Sequence, residues 1–78
     1  MPERDVLIYT QPGCAGCQRE KKFLTQKGID FTEKNIQEDE QALEELLELG
    51  AQGTPTTLID GKAIVGFDRQ KLAEKLGL

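Results

Sequence analysis

Asp60-Gly61 stands between two short β-rich runs, Thr56-Thr57-Leu58-Ile59 and Lys62-Ala63-Ile64-Val65. An Asp-Gly pair in that setting is the strongest short hairpin signal, because both central residues of the favoured tight turn need positive φ. An antiparallel strand pair is therefore the fixed point around which the remaining elements must be arranged. Upstream, Val6-Leu7-Ile8-Tyr9 is strand-sized and apolar, with charge before it and the turn signal Gln11-Pro12-Gly13 after it. From Ala15 to about Lys27 the spacing predicts a helix, with Cys17, Phe23 and Leu24 favouring one face and Arg19, Lys22 and Lys27 mostly on others. Gly28 is the expected stop. Ile29 to Ile36 reads as a second strand.

Asp39 can cap a helix running to about Leu49, with Leu43, Leu46 and Leu47 as its core stripe and Gly50 as its stop. Asp68 can cap a last helix to about Leu76, carrying Leu72, Ala73 and Leu76. The order β-α-β-α-β-β-α predicts one α/β domain over residues 1–78. The first two strands are joined through a helix, so they should be parallel with a right-handed crossover. A mixed four-stranded sheet covered by three helices would bury every apolar face.

Size and composition narrow the function. The chain has 78 residues, fourteen of them acidic and ten basic, with two cysteines and no histidine. A net charge of −4 argues against a nucleic-acid binder, which would show a basic stripe. The missing histidine excludes a Cys–His nucleophile pair. No apolar run approaches the roughly 18 residues of a membrane span, and Met1 to Asp5 is charged, without the apolar core of a signal peptide. A reducing, cytoplasmic setting is the expectation. There a Cys-x-x-Cys is more often redox-active or metal-binding than structural.

Cys14-Ala15-Gly16-Cys17 falls where the first strand gives way to the first helix. A disulfide between residues three apart closes a very small loop and removes little chain entropy, so stabilisation does not explain the pair. At a helix N-terminus, unpaired N–H groups and the macrodipole favour negative charge and lower a thiol's pKa. Cys14 is thus expected to be the exposed attacking thiolate, and Cys17, one turn in, the buried thiol that resolves a mixed disulfide. Lys21 is expected to add some positive potential. The rival is zinc, for which Cys-x-x-Cys supplies half a site; with no second pair and no histidine, a closed site would need another chain or external thiols. A shared iron–sulfur cluster, held by Cys14 of two chains with added thiols, is a third reading of a different class. No resident metal or other bound cofactor is expected beyond the redox-active pair.

Residues 8–17, Ile8-Tyr9-Thr10-Gln11-Pro12-Gly13-Cys14-Ala15-Gly16-Cys17, resemble the active-site segment of glutaredoxins and of the glutaredoxin-like hydrogen donors for ribonucleotide reductase. Gly53-Thr54-Pro55-Thr56 is similar to the segment carrying that family's cis-proline, and Val65-Gly66-Phe67-Asp68 resembles the glycine turn before its last helix. The three segments occur in the family's order along a matching series of elements. The resemblance implies a thioredoxin-like fold of the glutaredoxin type and thiol–disulfide oxidoreductase activity on disulfide-bearing proteins. It also implies that Thr54 and Pro55 present backbone to the substrate cysteine, and that Gln11, Gly66, Phe67 and Asp68 belong to the substrate- or glutathione-binding surface.

This chain departs from the family pattern at several of those positions. Ala15-Gly16 replaces the usual proline and tyrosine, and Gln11 stands where a lysine often does. The double glycine is reduced to Val65-Gly66, and a pair of acids becomes Asp68-Arg69. Glutathione is therefore an open choice as co-substrate, with thioredoxin reductase as the alternative electron source. A monomer is expected. Tyr9 is expected to end a strand, whereas Phe67 could equally border the site or pack under the last helix. Glu40, Glu44, Glu45 and Glu48 give the second helix an acidic face that reads as solvated.

Overall fold

The computed structural model describes residues 6–51 and 53–77. Residues 1–5, read above as a charged lead, lie outside this range. The elements follow the expected order: β1 (Val6–Thr10), α1 (Ala15–Gln26), β2 (Thr32–Asn35), α2 (Glu40–Glu48), β3 (Thr56–Ile59), β4 (Lys62–Val65) and α3 (Arg69–Leu76). The strands form one sheet in the order β2-β1-β3-β4. β1 and β2 run parallel, whereas β1–β3 and β3–β4 are antiparallel. This is the thioredoxin-like arrangement of a mixed four-stranded sheet with three helices. Asp60 (φ 49°) and Gly61 (φ 86°) both take the left-handed backbone that the tight hairpin demands.

Alternation along the strands sends side chains to opposite faces. Val6 of β1, Ile59 of β3 and Ile64 of β4 pack with Phe23 and Leu24 of α1 and Leu72 and Leu76 of α3. On the other face Tyr9 packs with Ala42 and Leu46 of α2 and with Ala51. α1 and α3 thus cover one side of the sheet and α2 the other.

Both long connections begin with the same helix-ending device. Gly28 N–H bonds the Thr25 carbonyl at 3.1 Å and Ile29 N–H bonds the Leu24 carbonyl at 2.9 Å. After α2, Gly50 N–H bonds Leu47 and Ala51 N–H bonds Leu46, at 3.0 and 3.3 Å. These paired bonds, with the apolar contact that accompanies them, are the Schellman cap. They explain one difference from the sequence reading. Ile29 is bound into the end of α1 and Phe31 packs against the core ahead of the strand, so β2 begins only at Thr32.

The second difference concerns α2. Its buried stripe is Ala42 and Leu46, whereas Leu43 is 39 % and Leu47 61 % exposed. The helix is rotated so that Glu45, next to Leu46, reaches Tyr9 and Lys34, which places Leu43 and Leu47 on the outer side. Glu45 therefore does have a basic partner, contrary to the wholly solvated acidic face expected. In α3, Leu72 and Leu76 are buried and Ala73 is half-buried.

Candidate functional site

Cys14 is the N-cap of α1, in extended backbone at φ −91° and ψ 104°. Its sulfur accepts the backbone N–H of Cys17 at 3.0 Å, one of the donors that a helix start leaves unpaired. Cys14 and Cys17 are joined as a disulfide, with Cα atoms 5.2 Å apart. Cys14 is half-buried and Cys17 is 1 % exposed, so one sulfur faces outward and the other sits under the helix. Among the described residues, no group of three or more histidine, cysteine or acidic side chains is placed to hold a metal ion.

The segments singled out in the sequence converge on this helix start. The Thr54–Pro55 bond is cis. Pro55 is buried against Gly16: a Cβ added there would lie 3.0 Å from Pro55 Cδ and 3.8 Å from Phe67 Cβ. Gly16 is thus the point where the turn between the cysteines touches both the Pro55 loop and the segment before α3. Gly66 N–H donates to the Pro55 carbonyl at 2.7 Å and ties those two segments together, and Thr56 Oγ1 bonds the Gly53 carbonyl at 2.7 Å inside the Pro55 loop. Asp68 caps α3 by accepting Lys71 N–H at 3.0 Å. Phe67 meets Phe23 edge-on, ring centroids 6.1 Å apart, so its ring belongs partly to the core while its Cβ lies beside Gly16. Gln11 sits half-buried in the connection before Pro12, three residues ahead of Cys14.

Lys21, the cation expected to act on the cysteines, is paired with an acid on another element. Lys21 Nζ lies 3.1 Å from Glu33 Oε2, and the same oxygen accepts Thr10 Oγ1 at 2.8 Å. The Thr10 hydroxyl, with Lys21 behind it, holds the Glu33 carboxyl below the usual range despite some burial. The positive charge expected to act on the cysteines is therefore directed at β2. Tyr9 lies one residue before the end of β1, which runs on to Thr10, and faces α2, with its hydroxyl donating to Glu45 Oε1 at 3.0 Å. Burial first, and then the Glu45 carboxylate, push its pKa up to about 12.

The sequence reading missed Glu20. It lies in α1 three residues after Cys17 and is fully buried. Thr57 Oγ1 of β3 donates to its Oε2, whereas Oε1 has no hydrogen-bond partner among the described residues. Burial outweighs the Thr57 bond and pushes the pKa from 4.5 up to about 7. The signal was present: positions 17, 20 and 24 share one helical face, and that face was already assigned to the core.

A buried thiol and an outward one joined at the start of a helix, on this sheet, define a thiol–disulfide oxidoreductase of the thioredoxin fold. The glutaredoxin family profile matches residues 6–64. An uncharacterized glutaredoxin-like 8.6 kDa protein of the rubredoxin operon in Clostridium pasteurianum is 40 % identical over 74 residues, covering 90 % of this chain and 99 % of that one. The glutaredoxin-like protein NrdH of Lactococcus lactis subsp. cremoris is 33 % identical over 69 residues, covering 88 % and 96 %. A crystal structure of a thioredoxin-like protein superposes with a TM-score of 0.89 at 34 % identity, covering 92 % of this chain and all of the other. The chain belongs to the glutaredoxin family.

Proposed function

We propose that this single-domain protein acts in the cytoplasm, as a monomer, reducing disulfides in other proteins. Cys14 is the attacking thiolate and Cys17 the resolving thiol. The observation that carries these roles is the asymmetry of the pair. Cys14 Sγ, at the helix N-cap, already accepts the Cys17 N–H at 3.0 Å, and that bond together with the helix dipole stabilises a thiolate there once the pair is reduced. Cys17 is too buried to meet a protein substrate first. The Thr54 backbone beside cis-Pro55 is the seat for the substrate chain. Gln11, Gly66, Phe67 and Asp68 border that seat. A pair that reduces disulfides needs a compartment that keeps it supplied with reductant, and the cytoplasmic placement fits that need.

The electron source is glutathione or thioredoxin reductase, and two features favour the reductase. Gln11 replaces the lysine of many glutaredoxins, and Arg69, in place of an acid, lies 5.5 Å over the Phe23 ring. Relatives named NrdH are consistent with the hydrogen-donor reading of the resemblance. Oxidised protein offered thioredoxin reductase with NADPH should consume NADPH faster than with glutathione and glutathione reductase. The reverse order would assign the chain to the glutathione pathway.

A further inference from the structure

Glu20 is a carboxyl buried without a charged partner among the described residues, and the disulfide-reducing role described so far makes no use of it. It lies three residues beyond Cys17 on the same face of α1, and side chains at that spacing are neighbours, with Cβ atoms about 5–6 Å apart. Both residues are buried, Cys17 at 1 % and Glu20 at 0 % exposed, so water cannot readily serve either group. Glu20 Oε2 is occupied by Thr57, and Oε1 has no hydrogen-bond partner among the described residues. In the disulfide seen here Cys17 carries no proton. Reduction returns one S–H donor to Cys17, a single turn from that unpartnered acceptor.

We propose that Glu20 is the proton acceptor and store for Cys17: it takes the thiol proton as Cys17 resolves a mixed disulfide and returns it when the pair is reduced again. This rests on Cys17 being the resolving thiol. In the mixed disulfide, Cys14 Sγ is bonded to a substrate sulfur and Cys17 is a thiol. The Cys17 proton passes to the Glu20 carboxylate and the thiolate attacks Cys14 Sγ. The Cys14–Cys17 bond forms as the bond from Cys14 to the substrate breaks. The electron pair leaves on the substrate sulfur, which is protonated from solvent. Over this half of the cycle the cysteine pair loses two electrons and the substrate disulfide gains them; the reductant returns two electrons to the pair in the other half. Glu20 holds its proton through the oxidised phase, and the reductant's attack on Cys14 Sγ lets Cys17 leave and take that proton back.

The surroundings suit a store rather than a structural ion pair. On α1 the following residue, Lys21, is bound to Glu33 of β2, and the preceding one, Arg19, is exposed. From α3, Arg69 lies over Phe23. β3 offers Thr57, a neutral donor, and the one tyrosine, on β1, faces the opposite side of the sheet. A carboxyl with a pKa of about 7 is balanced between its two forms near neutrality, as a group that takes and returns a proton must be.

The test is the reaction of reduced protein with dithiobis-nitrobenzoate, followed by stopped flow. The first thionitrobenzoate released reports attack by Cys14, and the second reports resolution by Cys17. In Glu20→Gln the first phase should keep its rate, while the second slows about 100-fold, the lower end of general-base effects. Its pH profile should also lose the step near Glu20's own titration. Glu20→Asp should recover part of the second phase. A second phase in Glu20→Gln that matches wild type in rate and pH profile overturns the proposal. Cys17→Ser is the control on the underlying reading: it must stop after the first release, and a second release there would show that Cys17 does not resolve. Should Glu20→Gln not fold, carbon-13 NMR of the wild-type Glu20 carboxyl decides. Different titration midpoints in the dithiol and disulfide forms support the store, and identical midpoints overturn it.

Discussion

Replacing Glu20 by glutamine in the oxidised protein should change how stability depends on pH. The folded carboxyl has a pKa of about 7 against 4.5 for the free group. Below 4.5 both folded and unfolded chains hold this proton and burial carries no ionic cost. As pH rises, the unfolded chain ionises first and the folded one keeps its proton, so stability falls at up to about 1.4 kcal/mol per pH unit. Beyond the folded pKa the loss levels off at about 3 kcal/mol, an order-of-magnitude figure set by the size of the shift. Glutamine keeps the shape and can still accept the Thr57 hydroxyl, but it cannot ionise. Urea unfolding of both proteins at intervals from pH 4.5 to about 8 should therefore show the variant gaining about 3 kcal/mol on wild type across the window. Glu33, whose pKa is lowered and whose stabilisation fades as pH falls, is common to both proteins and drops out of the difference. Parallel curves would mean that Glu20 ionises as freely when folded as when unfolded, and that its burial has been misjudged.

Five other outcomes are expected. Cys14→Ser should abolish reduction of insulin disulfides, and Cys17→Ser should accumulate a mixed disulfide visible on non-reducing gels. Tyr9 is the one tyrosine of a chain without tryptophan, so its near-ultraviolet titration is clean: tyrosinate should appear only toward pH 12 in the folded protein and near the free value of about 10 after unfolding. Asp68→Ala removes the cap bond to Lys71 N–H and should cost about 1 kcal/mol, a fall in Tm of about 4–8 °C by calorimetry. Because Lys21 is spent on Glu33 and a glycine loosens the turn between the cysteines, the redox potential should fall at roughly −200 to −270 mV, measured against defined glutathione ratios; about −120 mV would show a far stronger field at the helix start.

Local signals fixed most of this architecture. Asp60-Gly61, the caps at Asp39 and Asp68 and the stops at Gly28 and Gly50 act through the backbone of a few neighbouring residues, and they stand where the residues implied. The cysteine pair was legible for the same reason, since its meaning comes from a strand-to-helix junction next to it in the chain. What failed needed tertiary information. The face that α2 buries depends on Tyr9 and Lys34 meeting Glu45, contacts 36 and 11 residues apart in sequence. The early start assigned to β2 failed because Ile29 is claimed by the Schellman cap, whose bonds run back to Leu24. Glu20 was passed over because charge alone suggests solvent, whereas its partner Thr57 lies 37 residues away on another strand. The convergence of Pro55, Gly66 and Phe67 on Gly16 came from family resemblance, and no periodicity in the chain would have brought them together.

The sheet divides the apolar interior into two layers of unequal strength. The layer under α1 and α3 holds seven buried side chains, with Ile29, Phe31 and Phe67 packed around them; the layer under α2 holds four, with Leu7 and Ile36 at its margin. α2 itself contributes only Ala42 and Leu46 to it. Elements with few buried contacts open at a lower free energy than the global transition. Amide protons of α2 should therefore exchange with deuterium through a sub-global opening that leaves α1 protected. Such an opening uncovers Tyr9 and the far side of β1 while the helix that carries Cys14 and Cys17 stays fixed to the sheet. Backbone fluctuation in this molecule is thus directed to the side away from its sulfur chemistry.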